Sequence, residues 1–280
     1  MRQTPFNYIK KTLSSVIPLE IIQHLPDKWK KIGTIVTIKL PEELSQYKQL
    51  IGKAYAEELD CTAVLNDVGG ISGVYRKPVV EVIFGSAITE TIHSENGIHF
   101  KVDPQKIMFS SGNMTERRRM ATIAHKNETV VDLFAGIGYF TLPMAVYSQP
   151  KKIFACEINP VAFKYLCANV VLNHVNTIVE PLFGDNRESA PKDCADRVIL
   201  GYLKDPQEFL WVALECLRKN NGVLHYHELV PVEFIPEQPL SHIEKAAKQY
   251  YRSVELLNVN KIKSYAPRID HMVLDVRILE

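Results

Sequence analysis

From residue 129 onward the chain alternates strand-like and helix-like segments, and few architectures accept that order. TVVDLFAG (129–136) reads as a buried strand, and IGYFTLPMAVY continues it as a helix. KKIFACEI (151–158) and NPVAFKYLCANVVLN (159–173) repeat the pair. TIVEPLFGD (177–185) and DRVILGYL (196–203) are further strands, QEFLWVALECLRKN (207–220) is a helix that Gly222 closes, and GVLHYHEL (222–229) is a strand. Repeated βα units imply a parallel, doubly wound α/β sheet. SHIEKAAKQY then reads as a helix. ELLNVNKIKSYAPRIDHMVLDVRIL reads as two strands able to form an antiparallel hairpin at the sheet edge.

The amino-terminal region has a different texture. PEELSQYKQLIGKAYAEEL (41–59) places Leu44, Tyr47, Leu50, Ile51, Ala54 and Tyr55 at helical spacing behind Pro41. IGTIVTIKL (32–40), CTAVLN (61–66), VVEVIFG (79–85) and ITETIHSENGIHFKV (88–102) are β-rich, and Asn96-Gly97 predicts a hairpin in the last. The expected organisation is a smaller α+β amino-terminal domain over 1–103 and a Rossmann-like catalytic domain over 104–280. A length of 280 residues suits that division.

No stretch approaches the roughly 18 apolar residues of a membrane span, and MRQTPFNYIKKTLSS lacks a signal-peptide core, so a soluble cytoplasmic protein is expected. Cys61, Cys156, Cys167, Cys194 and Cys216 form no CxxC pair, which argues against a disulfide framework or zinc site and reads them as small buried apolar residues. With a formal net charge of +1, nucleic-acid binding would depend on local clusters. The candidates are Lys28, Lys30 and Lys31; Arg117, Arg118 and Arg119; and Lys261, Lys263 and Arg268 with Tyr265 among them.

The densest chemical signal is VVDLFAGIGYF (130–140), which carries Asp132, Gly136 and Gly138. A glycine turn between strand and helix lets backbone approach a ligand and aims a helix N-terminus at it. Phe140 and Thr141 stand where a dinucleotide fingerprint needs its third glycine, which disfavours NAD. Glu157, nineteen residues after Gly138 at the next strand's end, is placed to accept hydrogen bonds from both ribose hydroxyls of an adenosine. Asp185 and Asn186, in the run Gly184-Asp185-Asn186-Arg187 after the third strand, offer a carboxylate and an amide to adenine. His225 and His227 share one face of a strand, but no third ligand is evident, so no metal is expected. Arg76 and Lys77 in GVYRKP are candidate phosphate contacts.

FSSGNMTERRRM (109–120), VVDLFAGIGYFTLPMA, CEINP, ANVVLN and GDNR together closely resemble the family of archaeal and eukaryotic tRNA guanine-37 N1-methyltransferases and their wybutosine-pathway relatives. GVYRKP (73–78) and VIFGS (82–86) extend the resemblance through most of the chain. Within the family the chain looks most like the tRNA-Phe 4-demethylwyosine aminocarboxypropyltransferases. The resemblance implies a class I S-adenosylmethionine-dependent fold, S-adenosylmethionine as co-substrate, and the anticodon loop of tRNA-Phe at position 37 as partner. It also implies that Ser110, Arg117, Glu157, Asp185 and Asn186 line the S-adenosylmethionine site.

Methylating members carry Ser-Pro-Arg where this chain has Ser111-Gly112-Asn113, and Asn-Leu-Pro where it has Gly201-Tyr202-Leu203. Asn113 and Tyr202 thus become candidates for positioning the substrate, with Glu228 a third; no general base is evident. The sulfonium activates three carbons, and the one held in line with the nucleophile reacts. Methyl transfer to guanine 37 N1 is the rival outcome, and Gly112, Asn113 and Gly201 weigh against it. A non-catalytic RNA-binding module conflicts with intact Gly136, Gly138, Glu157 and Asp185, and a small-molecule methyltransferase would leave the amino-terminal domain without an obvious purpose.

Overall fold

The computed structural model describes residues 4–73 and 75–280, without the side chain of Ser111. Val74 of the GVYRKP segment and the first three residues lie outside the described residues. The chain divides into two compact units, Met1–Ser111 and Gly112–Glu280.

In the first unit, helix α1 (Pro5–Leu13) begins at Thr4, whose hydroxyl accepts from the Asn7 amide, and buries Ile9 and Leu13 one turn apart. A short helix α2 (Leu19–Ile22) follows. Strands β1 (Lys30–Ile32), β2 (Ile35–Ile38), β3 (Ala63–Ser72) and β4 (Lys77–Gly85) form a sheet in that order, with β2 parallel to β3 and the other pairs antiparallel. The helix expected over 41–59 enters as a 3-10 segment (Glu42–Tyr47) and continues as α3 (Lys48–Glu58). Ile51, Ala54 and Tyr55 pack it into a core shared with Ile9, Leu13, Val36, Val64 and Ile83. The expected hairpin is present as β5 (Thr91–Glu95) and β6 (Ile98–Val102). Asn96 and Gly97 both adopt positive φ (+50° and +75°), as a two-residue turn of that twist requires.

The second unit is the doubly wound sheet. After α4 (Met114–Met120) come β7 (Thr129–Asp132), α5 (Thr141–Pro143), β8 (Lys152–Glu157), α6 (Pro160–Leu172) and β9 (Val179–Phe183). Then follow α7 (Asn186–Ser189), β10 (Arg197–Leu200), α8 (Leu210–Cys216), β11 (Asn221–Pro231), α9 (Glu237–Gln249), β12 (Ser253–Ala266) and β13 (Ile269–Leu279). The strand order is β12-β13-β11-β10-β7-β8-β9, parallel from β11 to β9 and antiparallel at β13 and β12. Residues of β7 and β10 are buried throughout, as strands covered on both faces must be. The chain leaves β7 toward β9 and returns to β10, so the order reverses between β7 and β10, where α/β sheets bind ligands.

Two local expectations change. The helix after the glycine loop is one turn of α-helix relaxing into a π-turn at Met144–Ser148, not a regular helix. The helix expected over 207–220 ends at Cys216, where Leu217 turns extended; Gly222 lies inside β11. A Cβ on Gly222 would fall 2.6 Å from the Leu217 side chain, so this glycine serves close packing rather than helix termination.

Candidate cofactor-binding site

The loop between β7 and α5 is shaped by the two glycines, with φ of +60° at Gly136 and +100° at Gly138. Its backbone is tied to neighbouring strands by Leu133 donating to the Ile199 carbonyl (3.0 Å) and Ala135 to the Cys156 carbonyl (2.9 Å). Asp132 is wholly buried beneath it, accepting from the Thr141 hydroxyl (2.7 Å) and the Phe134 amide (3.3 Å). Burial pushes its carboxyl up to about 6. This carboxylate braces both ends of the loop, and its described hydrogen bonds are internal.

Glu157 closes the loop from β8. One carboxylate oxygen accepts from the Gly136 amide (2.8 Å) and the other from the Asn159 amide (2.7 Å). Burial raises its pKa, and those two backbone donors oppose the rise. Asn159 caps α6 by accepting from Val161 (2.9 Å), so loop, strand end and helix start form one unit. Asn169, inside the otherwise apolar face of α6, donates to the Ile137 carbonyl (3.1 Å). Sequence reading assigned it no role, although an amide amid Leu166 and Val170 was the available signal.

Asp185 caps α7 through the Arg187 amide (3.0 Å) and pairs with the Arg187 guanidinium, which holds its carboxyl below the usual range. Asn186 donates to the Leu133 carbonyl (2.8 Å), joining the β9 loop to the glycine loop. Its buried Oδ1 has no partner among the described residues. Beside them Tyr202 stacks on Phe134 (centroids 4.7 Å apart, planes at 10°), and Phe209 meets both rings edge-on.

The remaining candidates fall in different settings. Arg117, on α4, is 2% exposed. Ser110 belongs to the end of the first unit, and Asn113 directly precedes α4 with a buried Oδ1 that has no partner among the described residues. Glu228 is buried on β11 and accepts from Gln238 (2.9 Å) and His242 (3.2 Å) of α9. The basic clusters are less available than their spacing implies. Of the three arginines on α4 only Arg118 is exposed, because Arg119 is committed to Glu116 and Asp275. Lys31 donates to the Leu59 carbonyl, Lys261 pairs with Asp270 and Arg268 with Glu233.

His225 and His227 do share a face, but their partners are Asp275 and His271, and no group of side chains suited to a metal occurs among the described residues. Cys156 and Cys216 are buried and Cys61, Cys167 and Cys194 partly so; burial raises all five thiols.

A glycine loop, a carboxylate at the second strand end and an amide at the third, gathered at the sheet's reversal point, form an arrangement suited to an adenosine. Residues 91–257 match the model of the TRM5/TYW2 methyltransferase domain, and residues 9–89 that of the TYW2 N-terminal domain. The chain is 42% identical over 272 residues to the tRNA(Phe) (4-demethylwyosine(37)-C(7)) aminocarboxypropyltransferase of Pyrococcus horikoshii, covering 97% of this chain and 96% of that protein. It is 40% identical to the tRNA (guanine(37)-N(1))-methyltransferase Trm5b of Pyrococcus abyssi, covering 94% of this chain and 78% of that one. The crystal structure of P. horikoshii TYW2 in complex with MeSAdo superposes with a TM-score of 0.88 at 39% identity, covering 98% of this chain and 99% of that one. The chain belongs to the TRM5/TYW2 family of class I S-adenosylmethionine-dependent transferases.

Proposed function

We propose that the chain transfers the 3-amino-3-carboxypropyl group of S-adenosylmethionine to C7 of 4-demethylwyosine at position 37 of tRNA-Phe, releasing 5′-methylthioadenosine. The observation that carries this reading is similarity to an aminocarboxypropyltransferase over nearly the whole of both chains, whereas the methyltransferase relative is matched over 78% of its length. Gly112, Asn113 and Gly201, standing where the methylating pattern has proline, arginine and asparagine, favour the same side.

The residues present fit the co-substrate. Glu157 accepts the Gly136 amide at one oxygen and the Asn159 amide at the other, and the carboxylate is assigned to the ribose hydroxyls. The Asn186 Oδ1, which has no partner among the described residues, suits the adenine amino group, and Asp185 is its chain neighbour. Gly136 and Gly138 give the backbone close approach, with Asp132 as the brace beneath. Arg117 is assigned to the methionine arm, and Asn113, Tyr202 and Glu228 to placement of the base. The sulfonium would supply an electrophilic methylene: C7 attacks it, the carbon–sulfur bond breaks with its electron pair passing to sulfur, and C7 gives up its proton to solvent, restoring the aromatic ring. The protein's contribution is alignment and exclusion of water. We assign the domain over 1–103 to tRNA contact, the domain over 104–280 to catalysis, and the protein to the cytoplasm; no described helix is long and apolar enough to cross a membrane.

Mass spectrometry of tRNA-Phe carrying either guanosine or 4-demethylwyosine at position 37, after incubation with protein and S-adenosylmethionine, tests the reading. The tricyclic base should gain the aminocarboxypropyl mass while guanosine stays unchanged. Methylated guanosine would establish the rival reaction.

A further inference from the structure

α4 bears Arg117, and its seating on the sheet rests on a buried ionic chain that the function above does not use. Arg119 grips Glu116 one turn back on the same helix through two hydrogen bonds (2.8 and 2.6 Å). The same guanidinium reaches across to Asp275 on β13 through two more (2.6 and 3.2 Å). Asp275 accepts from His225 Nδ1 on β11 (2.5 Å). His225 Nε2 accepts from the Arg197 guanidinium on β10 (2.7 Å), since arginine can only donate. That bond fixes the imidazole as the Nδ1–H tautomer and obliges it to donate to Asp275. Arg197 ends the chain in a two-bond pair with Glu128 (2.9 and 3.0 Å). Glu116 is 1% exposed and His225 2%, so the middle of the chain is shielded from water, while Arg119 and Glu128 at its edges are partly exposed.

We infer that Asp275 and His225 are positioning residues for the S-adenosylmethionine arm, acting through Arg119 to hold α4, and with it Arg117, in a single pose over the sheet. This rests on the proposed function, which gives Arg117 its contact with the arm. A bridge from one helix turn to two strands and onward to a third fixes both the height and the rotation of a seven-residue helix too short to hold its own orientation. Fork-shaped, charge-assisted pairs impose that geometry more tightly than apolar packing would. The choice among three activated carbons depends on small displacements of the arm, so residues that never touch it control the outcome by holding the helix still.

The test compares S-adenosylmethionine, which carries the arm, with 5′-methylthioadenosine, which lacks it, by titration calorimetry on wild type, Asp275→Asn and Arg119→Lys. Asn preserves shape while removing the charge, and Lys preserves charge while removing the fork. The expected result is S-adenosylmethionine affinity roughly tenfold or more weaker in each variant, with methylthioadenosine affinity within about twofold of wild type. Turnover on the modified tRNA should fall by as much as ~100-fold, with a larger share of S-adenosylhomocysteine among the products. If both ligands weaken equally, or neither does, while the melting temperature falls, the chain is a stabilising element only and the inference is wrong. Should Asp275→Asn fail to fold, Arg119→Lys alone decides by the same criterion. Failure of the wild type to bind either ligand would instead overturn the proposed function.

Discussion

Replacing Glu157 with glutamine removes one charge and leaves the side chain's shape, yet the geometry makes the change costly. Both carboxylate oxygens already accept backbone amides, from Gly136 at 2.8 Å and Asn159 at 2.7 Å. The introduced carboxamide would turn a donor toward one of those N–H groups, and its single carbonyl oxygen could not serve both sides. On the assigned role, a charge-assisted hydrogen bond to a ribose hydroxyl is lost as well, worth about 1.5 to 3 kcal/mol, or about 10- to 150-fold in affinity. Glu157→Ala is the poorer probe, because it strands two buried amides and loosens the glycine loop whatever the ligand. Calorimetry with three ligands separates these effects: S-adenosylmethionine and methylthioadenosine share the ribose and should weaken alike, whereas adenine alone should be little changed. Unchanged affinity for the two nucleosides, or equal losses for all three, would refute the ribose assignment.

Two other outcomes follow from charges in and around the site. Asp132, raised to about 6 by burial, binds its proton more tightly folded than unfolded. Its contribution to stability is therefore fully present below the ordinary carboxyl range and lost as pH rises through about 6. Asp132→Asn should raise neutral-pH stability by up to about 3 kcal/mol and flatten the pH profile between 4 and 6, checked by denaturant unfolding across pH; destabilisation at neutral pH would mean that the braced loop needs the charge. Among the α4 arginines only Arg118 is exposed, so Arg118→Ala should lower the salt slope of tRNA binding by about 0.7 to 0.9, and an unchanged slope would remove it from the RNA contact.

The sheet was legible because its information is local. Hydrophobic runs of strand length separated by helical segments specify βα units, and Asn96-Gly97 specifies its own hairpin. The boundaries at the π-turn and at Cys216 were not legible, since tertiary packing sets them: Gly222 reads as a helix stop until Leu217 is found against it. The same division holds at the site. Gly136, Gly138 and Glu157 announce themselves by spacing, and the structure brings them together. Asp132 and Asn186 have roles visible only once Thr141 and Leu133 are in place. The arginine run on α4 misled for a related reason. Three adjacent arginines look like a cationic patch, but successive residues on a helix point about 100° apart, so Arg117 and Arg119 turn inward while Arg118 faces solvent. Neither periodicity nor spacing could pair Arg119 with Asp275, 156 residues away.

The central claim is that the methionine chain, not the methyl group, leaves sulfur. Incubating the protein and 4-demethylwyosine tRNA-Phe with S-adenosylmethionine labelled separately in the methyl group and in the methionine backbone tests it most directly. Backbone label should enter the RNA, methyl label should remain with 5′-methylthioadenosine, and the two products should form in equal amounts. Methyl label in the RNA, accompanied by S-adenosylhomocysteine, would contradict the account.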